Sequence, residues 1–351
     1  MIRTLLVSIA ALTIAAFTSP HGAKAREPEQ RLEHASVNVR LSDGLNLAAY
    51  VTRPTGVSDA LPALFLTQSV ACRSIAPVAE RMSRHEQLAL AAGWALIRVE
   101  RAGMGRSEGA GCDQLDYNTE VAHYREAFDQ TIEHPWVDKT RVVIIGNSLG
   151  STTAPLVAQD KPIIGVIVQG GGALSYFERM VYFDRQQLER SDTFSPSTID
   201  EEMRRRMAFH REYLLAKKTP ETIAHERPEL AGVWQSLLGT DAAPHYGRPY
   251  AWHWQAAEQI WLASCAQLEV PTMVVYGEYE QFESRYGHRV IVDLVNRLRP
   301  GTGAWVEIPK AGHAMAIYPD RYAAYQWRDH RLDPDAFIQP VAKWLERVGA
   351  Q

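Results

Sequence analysis

The chain has 351 residues, of which 46% are hydrophobic and 22% charged, a balance that fits one large globular domain and excludes an intrinsically disordered polymer. With 37 basic and 41 acidic residues the formal net charge is −4, so charge gives no reason to expect nucleic acid or an anionic membrane as a partner. No internal repeat and no low-complexity linker divides the sequence.

The first segment, "MIRTLLVSIAALTIAAFTSPHGAKA", has Arg3, an apolar run from Leu5 to Phe17, and small residues Ala23 and Ala25 around Lys24. This pattern predicts a secretory signal peptide over residues 1–25, cleaved after Ala25, with residues 26–351 as the mature chain. The run of 13 residues falls short of the roughly 20 needed to span a bilayer. Removing the segment takes away Arg3 and Lys24 and no acid, leaving 35 basic against 41 acidic residues and a charge of −6. An exported protein, periplasmic or secreted and without a membrane span, is the expectation. It is free to pair two of its three cysteines, Cys72, Cys112 and Cys265.

Val37 to Pro54 reads as two strands joined at Asp43-Gly44, since alternating apolar residues flank a turn dipeptide. Four short apolar runs follow: Ala63–Thr67, Trp94–Val99, Arg141–Gly146 and Ile163–Gln169. Between the second and third, Val121, Tyr124, Phe128 and Ile132 recur at helical spacing. Apolar strands alternating with helices predict a mostly parallel sheet covered on both faces. Residues from about 173 to 265 break that rhythm and read as a helical insertion, with a capping box at Thr198 and Glu201. Strands resume at Thr272–Gly277 and Ala304–Pro309, and a last helix from Asp333-Pro334 carries Phe337, Val341, Trp344 and Leu345.

"VVIIGNSLGST" carries the strongest chemical signal. Gly146-Asn147-Ser148-Leu149-Gly150 fits Gly-x-Ser-x-Gly directly after a buried strand and before a helix, a sharp turn that exposes a serine hydroxyl above a sheet. Donor N–H groups of the helix behind it lie where negative charge would develop. Pro155, beyond the first turn, should bend that helix.

At these residues the sequence resembles the α/β-hydrolase family over roughly residues 35 to 350, an α/β fold with helices on both faces and a helical lid. "RVERAGMGRSEG" (Arg98 to Gly109) is similar to the family's D-R-x-G-x-G-x-S loop, with Glu100 in place of Asp. "AGHAM" (Ala311 to Met315) follows the last strand, where the family places its histidine, so the resemblance implies His313 as general base. An acid is implied after Thr272–Gly277, where Glu278, Glu280 and Glu283 stand. The family's position is the third beyond the strand-ending glycine, which is Glu280. Glu278 is the alternative, and Glu283 reads as a helix-start charge.

The resemblance further implies an oxyanion hole from the backbone N–H groups of Leu149 and Val70, with Ser69 replacing the usual glycine of that loop. It also implies that Cys72 and Cys112 lie near one edge of the sheet and can form a disulfide. In the insertion, Tyr250, Trp252 and Trp254 either fill the lid's own core or line a substrate pocket. No phosphate loop, nucleotide fingerprint or close-spaced ligand pair occurs, so neither cofactor nor metal is implied. The favoured reading is a serine hydrolase acting on a small-molecule ester. The rivals are an aminopeptidase or acyl-peptidase that would use Glu178, Glu226 or Glu258 to hold a substrate amine, and a non-catalytic binding protein of the same fold.

Overall fold

A computed structural model describes residues 31–350 apart from 79–80, 192–193, 238 and 241–242; the predicted signal peptide lies outside the described residues. Strand β1 (Leu32–Arg40) returns as β2 (Asn46–Pro54), in antiparallel register from Leu32 opposite Pro54 to Arg40 opposite Asn46. This hairpin begins five residues before the predicted Val37 and turns through Gly44 at φ +96°, a conformation that glycine adopts without strain.

Then come β3 (Leu61–Thr67), α1 (Arg84–Ala92), β4 (Ala95–Val99), α2 (Tyr117–Thr131), β5 (Val137–Asn147), α3 (Gly150–Ala158) and β6 (Gly165–Gln169). Helices α4 (Tyr176–Arg190), α5 (Pro196–His210), α6 (Pro220–Glu226) and α7 (Val233–Ser236) follow. A two-residue ladder of β7 (Gly239–Thr240) and β8 (Ala243–Pro244) leads to α8 (Tyr250–Glu258) and α9 (Trp261–Gln267). The chain closes with β9 (Thr272–Gly277), α10 (Arg285–Leu298), β10 (Gly303–Ile308), α11 (Arg321–Tyr325) and α12 (Pro334–Gly349).

The main sheet has eight strands in the order β1-β2-β4-β3-β5-β6-β9-β10, antiparallel at β1/β2 and β2/β4 and parallel elsewhere. Successive side chains of a strand point to opposite faces, and both faces here are dry. Ala63 and Phe65 of β3 pack with Phe128 of α2, Val157 of α3 and Val295 of α10. Leu64 and Leu66 of the same strand pack with Leu88 of α1 and with Phe337, Val341 and Leu345 of α12. Burying each of these aliphatic or aromatic side chains contributes about 1.5–3 kcal/mol, which is why the apolar runs are continuous rather than alternating. The parallel strands all point their C-terminal ends to one edge, where the loops after β3, β5, β9 and β10 meet.

One local expectation needs correction. Helix α5 is capped by Ser195, whose Oγ accepts from Thr198 N–H at 3.2 Å, and not by a Thr198–Glu201 box. Pro196 supplies the pre-set φ of a first helical residue, so the Ser-Pro pair starts the helix three residues earlier. Helix α3 continues through Pro155 and ends at Ala158, where Arg125 Nη1 donates to the carbonyls of Leu156 (2.9 Å) and Gln159 (2.8 Å) that the helix leaves unpaired.

Candidate active site

The turn between β5 and α3 explains its own sequence. Ser148 lies at φ +53°, a sparsely populated conformation for a residue with a side chain, which the surrounding structure must hold in place. A Cβ on Gly146 would come within 2.3 Å of Ser151 Cα, and one on Gly150 within 2.3 Å of the Thr67 and Gln68 carbonyl oxygens. Both positions therefore exclude any side chain, and the loop after β3 is pressed against the elbow.

His313 Nε2 lies 2.8 Å from Ser148 Oγ. On the other side of the ring, Nδ1 lies 2.8 Å and 3.0 Å from the two Glu280 carboxylate oxygens. Glu280 is 1% exposed and also accepts from Phe282 N–H at 2.9 Å. Burial pushes its carboxyl up, but the His313 imidazole, their hydrogen bond and the Phe282 N–H outweigh this and hold the group below the ordinary carboxylate range. Ser148, His313 and Glu280 thus form one hydrogen-bonded chain although up to 165 residues separate them.

The other two glutamates of that loop are occupied differently. Glu278 Oε2 accepts from Lys310 N–H at 2.8 Å and ties the ends of β9 and β10 together. Glu283 is no helix-start charge: Ser284 caps α10, while Glu283 is buried in an ion pair with Arg179 of α4. Its own sequence neighbourhood shows a helix start, and the partner 104 residues away is what the local pattern could not reveal.

Residues not anticipated from the sequence fix the imidazole. Gln281 Oε1 accepts from His313 N–H at 2.6 Å, and Gln169 Nε2 donates to the His313 carbonyl at 3.3 Å. Arg84 donates to Asn147 Oδ1 (3.3 Å), Gln169 Oε1 (2.7 Å) and the Ala314 carbonyl (2.6 Å), joining the elbow to the histidine loop. Burial lowers this guanidinium to about 10. Phe282 meets the His313 ring edge-on at 4.7 Å. Glu100, in the place of the resembled aspartate, is buried and accepts from Ser74 Oγ and from the N–H groups of Ile75 and Ala76, both at 3.2 Å.

Leu149 is buried against the inserted helices, and Val70 packs on the same apolar cluster. Among the described residues neither backbone N–H has an acceptor. Cys72 and Cys112 form a disulfide with Cα atoms 5.7 Å apart, fastening the loop after β3 to the loop after β4. Cys265 is a buried thiol in the core, pushed up to about 12 by burial. Trp252 is 2% exposed, donates to Glu120 at 3.0 Å and packs edge-on against Tyr117 and Tyr176, so it fills the core of the inserted helices. Tyr250 donates to Glu221 at 3.0 Å and lies 6.2 Å from the Trp254 ring in the same aromatic cluster. Among the described residues no group of His, Cys, Asp and Glu is placed to hold a metal ion, and no helix is long and apolar enough to cross a membrane.

This fold and elbow define a class, and the sequence agrees: the profile of the Alpha/beta hydrolase family matches residues 75–325, and the chain belongs to that family. Several solved structures share the fold. Est1E from Butyrivibrio proteoclasticus, with ferulic acid bound, superposes with a TM-score of 0.56 at 13% identity over 90% of this chain and 100% of its own. An esterase of Pyrococcus furiosus gives 0.52 at 14% identity over 90% and 91%. A hyperthermophilic esterase from Pyrobaculum calidifontis gives 0.52 at 15% identity over 92% and 87%. No curated protein matches the chain by sequence.

Proposed function

We propose that the protein is an exported serine hydrolase that cleaves a carboxylic ester of a small molecule through a Ser148 acyl-enzyme. The observation that carries this reading is the unbroken hydrogen-bonded chain from Ser148 Oγ through both ring nitrogens of His313 to Glu280. His313 takes the Ser148 proton as the hydroxyl attacks the ester carbonyl, then returns it to the leaving alcohol. Buried Glu280 holds the tautomer with Nδ1 protonated and stabilises the imidazolium that forms. The tetrahedral oxyanion takes hydrogen bonds from the Leu149 and Val70 N–H groups. Water then enters, and the same imidazole activates it to release the acid. The inserted helices cover the site and set the substrate's shape.

Ester rather than amide cleavage is supported by what the acidic residues of the insertion do. Glu178 closes the capping box of α4 on Ser175, Glu226 pairs with Lys218, and Glu258 pairs with Lys217. Each is already engaged near the surface, which is no arrangement for capturing a substrate amine. Esterase is also the activity named for two of the similar structures. Export is supported by the predicted signal peptide together with the disulfide. Turnover of a graded series of p-nitrophenyl esters, compared with aminoacyl p-nitroanilides, tests the assignment: esters are the better substrates, and efficient anilide cleavage with inert esters overturns it.

A further inference from the structure

The loop after β3 has serine where the resembled pattern has glycine, so something other than glycine must shape it. One guanidinium does so. Arg101, buried just beyond β4, donates to the carbonyls of Ser69 (2.5 Å), Ala71 (2.9 Å) and Gln68 (3.4 Å) and to Gln68 Oε1 (3.3 Å). Its Nε donates to Glu120 Oε1 at 2.6 Å, so the whole fork is engaged. Three carbonyls of one short loop therefore converge on a single cation. The described chain contains no cis peptide, and in a trans peptide the C=O and the following N–H point in opposite directions. Drawing the Ser69 carbonyl to Arg101 turns the Val70 N–H to the opposite side of that peptide plane, away from the guanidinium, and the Val70 side chain packs on the apolar cluster that includes Leu149 of the elbow. Ser69 is not among the residues with positive φ, so the clamp achieves this orientation in a conformation open to any residue.

We infer that Arg101 is a positioning residue for the oxyanion hole, presenting the Val70 N–H by holding the carbonyl of the same peptide plane. The inference rests on the serine-hydrolase reading above. Glu120 anchors the clamp: its second oxygen accepts from Trp252 Nε1 at 3.0 Å and from Arg248, both of α8 or the segment before it. Arg98, buried on β4, pairs with Glu86 (2.8 Å) and donates to Thr52 Oγ1 (2.8 Å) but to no carbonyl of residues 68 to 71, which makes it a control for the loss of a buried cation.

The test compares Arg101→Lys, Arg101→Met and Arg98→Met with the wild type in three readouts. These are kcat and KM on an activated ester, affinity for a trifluoromethyl ketone whose Ser148 adduct carries an oxyanion, and affinity for the matching methyl ketone. Lysine keeps a cation beside Glu120 but lacks the planar fork, so it remains informative if Arg101→Met fails to fold. Misaiming one oxyanion donor should lower kcat by about 10²-fold in the Arg101 variants with KM within about threefold. Trifluoromethyl ketone affinity should fall in parallel with kcat/KM, while methyl ketone affinity and the Arg98→Met ratio of the two hold. Arg101 variants whose ratio of the two ketone affinities stays within about threefold of the wild type overturn the inference. A wild type that forms no Ser148 adduct instead removes the serine-hydrolase reading beneath it, so the two failures are distinct.

Discussion

Glu280 keeps its charge in a place with almost no access to water, and the side chain it hydrogen-bonds is the imidazole of His313. Replacing it by glutamine leaves the size unchanged but lets the ring take either tautomer. Glu280→Gln should therefore lower kcat by about 10³- to 10⁴-fold, the scale found when a triad acid loses its charge. Glu278→Gln touches only the Lys310 N–H contact and should stay within a fewfold of wild type. Steady-state kinetics of the two variants decides between them, and the opposite ranking would move the acid two residues back. At this scale the sequence told most about groups whose geometry is local. Ser148 and His313 announce themselves through strand ends and neighbouring glycines. Gln169, Gln281, Arg84 and Arg101 do not, because an amide or guanidinium joined to a partner 30 to 230 residues away leaves no periodic trace.

Among the elements, the inserted helices and the disulfide-bonded loops carry the most distinctive energetics. His245 of the segment before α8 stacks on His253 of α8 with ring centroids 3.7 Å apart, and Tyr176 OH lies 2.8 Å from His253 Nδ1. Burial lowers both imidazoles well below 6.5, with each other's proximity lowering His245 further and Arg248 lowering His253 further. The folded state refuses protons that the unfolded chain accepts below about pH 6.5, so this contribution is complete above that value and lost as pH falls. Each histidine should cost about 1.4 kcal/mol of stability per pH unit in that window. Melting temperatures between pH 7.5 and 5 should fall for the wild type and fall less for His245→Phe and His253→Phe; parallel slopes would refute the assignment.

The Cys72–Cys112 disulfide closes a loop with a separation of 40 residues, which by chain entropy contributes about 4 kcal/mol before native strain is discounted. Cys72→Ser with Cys112→Ser should lower the melting temperature and, by loosening the loop that holds Val70, lower kcat more than it raises KM. Unchanged kcat in a folded double variant would separate the bridge from catalysis. The helix boundaries of the insertion were less legible than those of the sheet. Ser195-Pro196 and Thr198–Glu201 are both reasonable starts, and only the first is used, because the proline already satisfies the first turn.

For the whole molecule, the fold was readable because the central parallel strands are mostly apolar on both faces and the crossovers contain helices, so the order of elements nearly dictates the sheet. That order brings the loops after β3, β5, β9 and β10 to one edge, and the candidate site follows from topology plus three residue types. What covers the site was not readable in the same way, because aromatic residues such as Trp252 look alike in sequence whether they line a pocket or, as here, pack against Tyr117 and Tyr176. Catalysis as proposed depends on Ser148 being the nucleophile. Incubating the folded mature protein with a fluorophosphonate probe and mapping the adduct by mass spectrometry addresses that directly. A single adduct on Ser148, abolished by Ser148→Ala and strongly slowed in Glu280→Gln, is the predicted result; a folded wild type that takes up no probe, or takes it up elsewhere, contradicts it.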